Sequence, residues 1–247
     1  MKKRHLLSPL PKRARDMTAA DRCRVLEHLG LGRHLSDGSL TQLAEASVAI
    51  DVARRRFVYR AGDPADSVFV IALGRIKLCQ IEPGTGREAI IDIVSGGSLF
   101  GESALYSSAR LRENFAIAYE QSRLLQIPAG AFQLGMSEDW QLHDYTFRLL
   151  GQRLENAERR LADFALNAIP ARLSRLLAEY SERYGVREND GVLIDIPLPH
   201  REIASIVGST RESVTVRLNA MRREGTIDFV NRRILVKRPQ ALAVSGN

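Results

Sequence analysis

The densest set of residues with recognisable chemistry lies between 199 and 223. Arg201-Glu-Ile-Ala-Ser-Ile-Val207 has the spacing of a short amphipathic helix, closed by Gly208. Ser209 and Thr210 then cap a second helix, from Arg211 to about Arg223. Helix, glycine-bearing turn, helix is the spacing of a helix-turn-helix. In the second helix Val214, Leu218 and Met221 recur at i, i+4 and i+7 and turn inward. That sends Glu212, Val216, Asn219 and Arg223 outward, with Arg211 and Thr215 flanking near the N-terminal end. Residues so placed reach base edges in the major groove. Arginine can bond guanine O6 and N7 at once, and glutamate accepts from the cytosine amino group. Val216 offers only apolar contact, for instance to a thymine methyl. Arg201, opening the first helix, and the capping Ser209 and Thr210 join this DNA-facing set, and His200 beside Arg201 reads as a cap. After Gly225, Thr226–Val230 and Ile234–Lys237 read as a hairpin around Asn231-Arg-Arg233. Arg232 and Arg233 at its tip suit phosphate contact, which fixes register without reading sequence. The plainer alternative is a solvated helix pair beside a surface hairpin.

Other elements must present and pair such a reading head. From Val48 to about Ile127 short apolar runs alternate with turn signals such as Ala61-Gly-Asp-Pro64, Leu73-Gly74 and Ser95-Gly-Gly97. That regularity predicts an antiparallel β-barrel or jelly roll. Upstream, Thr18 to Leu43 reads as helical, with Thr18-Ala-Ala-Asp21 as N-cap and first turn. Downstream, Met136 to Leu166 carries a seven-residue repeat. Trp140, Phe147, Leu154 and Leu161 fill one heptad position, and His143, Leu150, Ala157 and Phe164 the other. Such a seam seeks a partner helix and predicts a homodimer; a helix buried within its own chain is the alternative. Asn167-Ala-Ile-Pro170 breaks the helix, and a further helix runs from Ala171 to about Tyr184. Residues 185–191 read as a loop and 192–196 as a strand. The expected fold is α+β: an N-terminal antiparallel jelly-roll barrel, a long dimerisation helix and a C-terminal winged helix-turn-helix. The expected domains are a basic tail (1–17), the barrel (18–135), the dimer helix (136–166) and the DNA-binding unit (167–247).

Charge divides along the same lines. Of the net charge of +7, residues 1–16 carry +5 and residues 170–247 carry +4, while the middle carries −2. Polyanion contact therefore belongs to the ends. The first sixteen residues read as a disordered tail, with non-specific help in DNA binding as the alternative. No stretch approaches the ~18–20 apolar residues of a membrane span, and the N-terminus lacks an apolar signal core, so the expectation is a cytoplasmic protein without membrane contact. Two cysteines, Cys23 and Cys79, make neither a disulfide framework nor a four-cysteine site. Few aromatics argue against a single-strand binder built on stacked bases. A catalytic metal in a cupin-like barrel would need histidines, and residues 48–127 contain none. An enzyme is not expected.

From about Leu40 to Leu242 the chain resembles the cyclic-AMP receptor / fumarate-nitrate-reduction regulator (CRP/FNR) family of bacterial transcription factors. Tyr59-Arg-Ala-Gly-Asp-Pro64, Gly97-Ser-Leu-Phe-Gly-Glu-Ser-Ala-Leu105 and Ile203-Ala-Ser-Ile-Val-Gly-Ser-Thr-Arg-Glu-Ser-Val214 carry the resemblance, in matching order and spacing. It implies base contacts from Arg211 and Glu212. It also implies a third contact from an arginine where this chain has Val216; the nearby Arg217 lies on another face. A half-site related to the family's usual one, but not identical, is the expectation. RNA polymerase as a partner is implied by resemblance alone.

For cyclic-nucleotide binding the resemblance implies Gly101 and Glu102, the glutamate holding the ribose hydroxyl, and Arg112 on the cyclic phosphate. The residues that follow, Glu113-Asn114, depart from the small hydroxyl residue and alanine of nucleotide-binding members. A carboxylate there would repel phosphate and could pair with Arg112 instead. The adenine-touching Thr and Ser of the cyclic-AMP receptor map onto Ala157 and Glu158, losing both hydroxyls. A structural role for Arg112 and Glu113, with another effector or none, is the favoured reading; a cyclic-AMP-dependent activator using Glu102 and Arg112 is the alternative. An iron–sulfur cluster lacks its four cysteines. Cys79 and His143 are conceivable haem ligands, but plain packing is the simpler account of each. No cofactor is expected. A third class, a regulatory module acting on a protein partner, is opposed by the basic C-terminal unit.

Overall fold

A computed structural model describes residues 13–28, 35–106 and 110–244. The expected tail therefore lies, up to residue 12, outside the described residues. The chain divides into two compact units, residues 2–152 and 153–247.

In the first unit α1 (Ala19–His28) and α2 (Asp37–Ala46) precede the strands. Thr18 opens α1 as expected: its N–H donates to Asp21 Oδ2, and Thr18 Oγ1 accepts from the Asp21 N–H. Eight strands follow: β1 (Val48–Val52), β2 (Phe57–Tyr59), β3 (Ser67–Leu73), β4 (Arg75–Ile81), β5 (Glu88–Ser95), β6 (Leu99–Phe100), β7 (Phe115–Ala118) and β8 (Ser122–Pro128). They form two antiparallel four-stranded sheets, β1-β8-β3-β6 and β2-β7-β4-β5. A four-residue helix, α3 (Ser103–Tyr106), lies between β6 and β7.

Period-two alternation explains the packing. On β3, Phe69 and Ile71 join Tyr59, Phe100, Ala116 and Leu124 in a core drawn from both sheets. Val68, Val70 and Ala72 point the other way, against α1, α2 and α4 (Ala129–Glu138). Burial on both faces is why this strand reads as an unbroken apolar run. Ala14 and Met17 are also buried, and the Ala14 N–H donates to Asp51 Oδ2 at 2.7 Å. The expected tail boundary at residue 17 is thus too late: the chain already packs on the barrel from Ala14.

The expected helix over 136–166 is two helices. Residues 136–138 finish α4, and α5 spans Trp140–Leu166. Asp139 between them is extended, its carboxylate accepting from the N–H groups of Ser36 and Gln141. These bonds hold its pKa at about 2. A capping carboxylate breaks the helix where no glycine or proline announces it.

On α5, Leu142 is buried in the core of the first unit, and Tyr145 and Leu149 pack against it. Another face carries the heptad seam. Trp140, Phe147, Leu154 and Leu161 are 73%, 71%, 61% and 71% exposed. His143 and Ala157 are exposed too, and Leu150 is half-exposed.

The second unit contains α6 (Ile169–Tyr184), β9 (Gly185–Glu188), β10 (Gly191–Ile194), α7 (His200–Val207), α8 (Arg211–Arg223), β11 (Ile227–Val230), β12 (Arg233–Val236) and α9 (Pro239–Val244). The four strands make one antiparallel sheet, β11-β12-β10-β9. The expected loop over 185–191 is largely β9, paired to β10 from Gly185↔Ile194 to Glu188↔Gly191. All four of its residues are exposed, so no apolar alternation marks it. The strand expected over 192–196 ends at Ile194.

Candidate nucleic-acid interface

Apolar burial and two caps set the reading head. Gly208 ends α7 in the left-handed region at φ 64°, and a Cβ there would sit 2.6 Å from a Phe164 ring carbon. Glycine is thus required both by the turn and by the close approach of α5. Thr210 caps α8, its hydroxyl oxygen accepting from the Ser213 N–H at 3.2 Å. Ser209, expected beside it on the DNA-facing side, has its hydroxyl oxygen buried. It is part of the turn, not of the exposed face.

Val214, Leu218 and Met221 are buried, as their spacing requires. Arg211, Glu212, Asn219 and Arg223 are exposed, and Val216 is 68% exposed. Arg201 is exposed on the first turn of α7. Arg217 is half-buried, with Nη1 3.7 Å from Glu224 Oε1, away from the outward row. A row of side chains that nothing in the unit covers thus runs along the second helix of a two-helix motif.

His200 is not the expected cap. Pro199 holds the N-cap position, because its fixed φ suits a helix start. The His200 ring instead reaches α8, with Nδ1 2.8 Å from Thr215 Oγ1. Thr215 is only half-exposed as a result. Burial, and next the charge of Arg211, hold the His200 pKa below its usual range.

The hairpin turns through Asn231 and Arg232, both at positive φ (49° and 64°), as a two-residue turn joining β11 to β12. Arg232 is exposed at the tip. Arg233 is not its equal: it opens β12, half-buried, with Nη1 3.2 Å from Asp195 Oδ1. The alternation of a strand sends neighbours to opposite faces.

In the barrel, Gly101 and Arg112 do come together, but with the arginine turned inward. Arg112 is 3% exposed, donating from Nη1 to the Gly101 carbonyl at 2.8 Å and from Nη2 to the Ser67 carbonyl at 2.5 Å. Its guanidinium carbon lies 4.4 Å from the centroid of the Tyr59 ring. Tyr59, Phe69 and Phe100 form an aromatic cluster there, with centroids 5.2–6.2 Å apart. Tyr59 and Phe100 lie in segments that carry the resemblance, but nothing in the sequence marks the three rings as neighbours of Arg112. The expected pairing of Arg112 with Glu113 is replaced by these carbonyl bonds. Glu113 is exposed, and its own carbonyl accepts from Gln80 Nε2. Glu102 is half-buried before α3; Ala157 and Glu158 are exposed on α5. Cys79 is fully buried in β4.

No helix among the described residues is long and apolar enough to cross a membrane. Residues 50–139 match the family model of the cyclic nucleotide-binding domain, and residues 171–244 that of the Crp-like helix-turn-helix domain. The chain is 24% identical over 219 residues to a CRP-like cAMP-activated global transcriptional regulator of Mycobacterium tuberculosis, covering 89% of this chain and 97% of that one. It is 28% identical over 216 residues to the global nitrogen regulator of Synechococcus elongatus, covering 87% and 95%. FixK2 from Bradyrhizobium japonicum shares the fold with a TM-score of 0.72 at 18% identity, covering 81% of this chain and 98% of that one. With both family models matching in order, and with relatives that are regulators and not enzymes, the chain belongs to the CRP/FNR family of DNA-binding transcription regulators.

Proposed function

We propose that the chain acts as a homodimer that reads a pseudo-palindromic DNA site without the usual cyclic-AMP response. Each subunit places α8 in one of two successive major grooves, with half-sites about one helical turn apart. The observation that carries this reading is the uncovered row Arg211, Glu212, Val216, Asn219 and Arg223, opposite the buried Val214, Leu218 and Met221. Arg211 and Glu212 read bases near the helix start, and Arg232 contacts phosphate from the hairpin tip. The exposed apolar seam on α5 supports the dimer, since four large apolar side chains in one heptad register are costly to leave in water. RNA polymerase is the further partner, and the cytoplasm the place of action.

The effector reading rests on Arg112. Both terminal nitrogens of its guanidinium donate to main-chain carbonyls, and an aromatic ring lies against it, which supports a structural role for this arginine. A cyclic-AMP-dependent activator is the second reading. It is favoured by the retained Gly101-Glu102 pair with Arg112 at the family spacing, and by the cAMP-activated relative. Selection of sites from random duplex DNA by the purified protein, with and without cyclic AMP, separates them. A palindromic motif without the nucleotide supports the first reading. A motif that emerges only with cyclic AMP means that Arg112 releases its carbonyls for phosphate.

A further inference from the structure

Three elements of the second unit meet at one imidazole. His200 is the first residue of α7, its Nδ1 lies 2.8 Å from Thr215 Oγ1 on α8, and its ring lies 5.9 Å between centroids from Phe229 on β11. One proton inventory satisfies both contacts of the Thr215 hydroxyl. Thr215 has one hydroxyl proton, which it donates to the Arg211 carbonyl at 2.8 Å. The proton between His200 and Thr215 therefore comes from His200, whose Nδ1–H donates to Thr215 Oγ1. The chain of donation runs imidazole, hydroxyl, carbonyl, and ends on the backbone of Arg211 at the start of the reading helix. Burial and the neighbouring Arg211 charge both favour the neutral ring, and with the Thr215 proton on the Arg211 carbonyl the Nδ1–H tautomer completes the chain.

We infer that His200 is a positioning residue for DNA recognition: through Thr215 it holds the first turn of α8, and with it Arg211, in the orientation that discriminates bases. The inference rests on the proposal that Arg211 reads a base. Thr215 then serves as the middle of the relay and makes no independent base contact.

The test measures binding of the full-length protein to its selected site and to single-base variants of that site. The proteins compared are wild type, His200→Ala, Thr215→Val, the double variant, His200→Gln and Arg211→Ala, each first shown to be folded by its unfolding midpoint. His200→Ala and Thr215→Val should each reduce discrimination at the Arg211 base pair roughly three- to tenfold, the range of one neutral hydrogen bond. The double variant should be no worse than the poorer single, because both remove the same relay. His200→Gln keeps an N–H donor and should recover part of the loss, which a mere packing role would not predict. Discrimination that survives in His200→Ala and Thr215→Val but is lost in Arg211→Ala overturns the positioning role alone. Effects of the two singles that multiply in the double variant also overturn it. Discrimination that survives in Arg211→Ala as well removes the base-reading assignment and this inference with it.

Discussion

Two arginines in this chain have opposite fates, and the contrast sets their expected phenotypes. Arg211 is exposed at the start of α8, so removing it leaves no buried group unpaired. Arg211→Ala should leave stability nearly unchanged and cost about 1–3 kcal/mol in binding to the selected site, with specificity relaxed at one base pair. Arg232→Ala, at the hairpin tip, should weaken all sites alike and flatten the salt dependence by about one unit of slope. Titrations against site variants at several salt concentrations check both; equal relaxation of specificity in the two would refute the division of roles. Arg112 is the reverse case. It is buried and donates to two main-chain carbonyls, so Arg112→Ala should lower unfolding free energy by about 2–4 kcal/mol. Urea denaturation reads that loss, and calorimetry with cyclic AMP should show no heat of binding to the unaltered protein. The spacing of Arg112 from Gly101 was legible in the sequence, but the direction of its side chain was not. Direction depends on which carbonyls and rings the fold brings within reach, and those come from β2, β3, β6 and Gly101 just after it. For the same reason the partner of His200 was hidden, since a residue on one helix met a hydroxyl fifteen positions away on another.

At the level of elements, pattern was legible where burial was one-sided or complete. Apart from β1 and the two-residue β6, the strands of the barrel follow from apolar spacing, as do the helix-turn-helix and the hairpin, because their cores need those side chains. β9 escaped because an edge strand with four exposed residues has no such need. The helix break at Asp139 escaped because a carboxylate, not a glycine or proline, makes it. Its two caps, to Ser36 and Gln141, tie α2 to the start of α5. Because the native pKa of Asp139, about 2, is below its unfolded value, it stabilises the fold fully above about pH 4. That contribution is lost as pH falls toward 2. Asp139→Ala should cost about 1–2 kcal/mol near neutrality. The difference between variant and parent should shrink between about pH 4 and pH 2. Unfolding curves over that pH range read the convergence, and a gap that stays constant would detach the effect from the carboxylate.

For the molecule as a whole, DNA affinity is a matter of valency as much as of contacts. One α8 offers a single short row of readers, and the acidic residues of the middle segment contribute nothing to polyanion attraction. Two heads joined through α5 bind differently: once the first engages a half-site, the second is held at a high effective concentration beside the other. The middle of the seam that would join them, at Leu154, is exposed and remote from the reading row in sequence, so pairing there and reading can be altered independently. Leu154, 61% exposed near the middle of the stripe, is the sensitive point. Leu154→Asp places a carboxylate where two copies would bring like charges together in an apolar seam, and it should yield a monomer by sedimentation. Folding should survive, because Leu154 is exposed in the single chain. The monomer keeps every reader, so its affinity for an isolated half-site should match that of the parent. Its affinity for the full palindrome should fall by roughly 10²–10⁴. A variant that sediments as a dimer disposes of the seam. A true monomer that binds the palindrome as tightly as the parent would show that one head suffices, and the pseudo-palindrome would lose its physical reason.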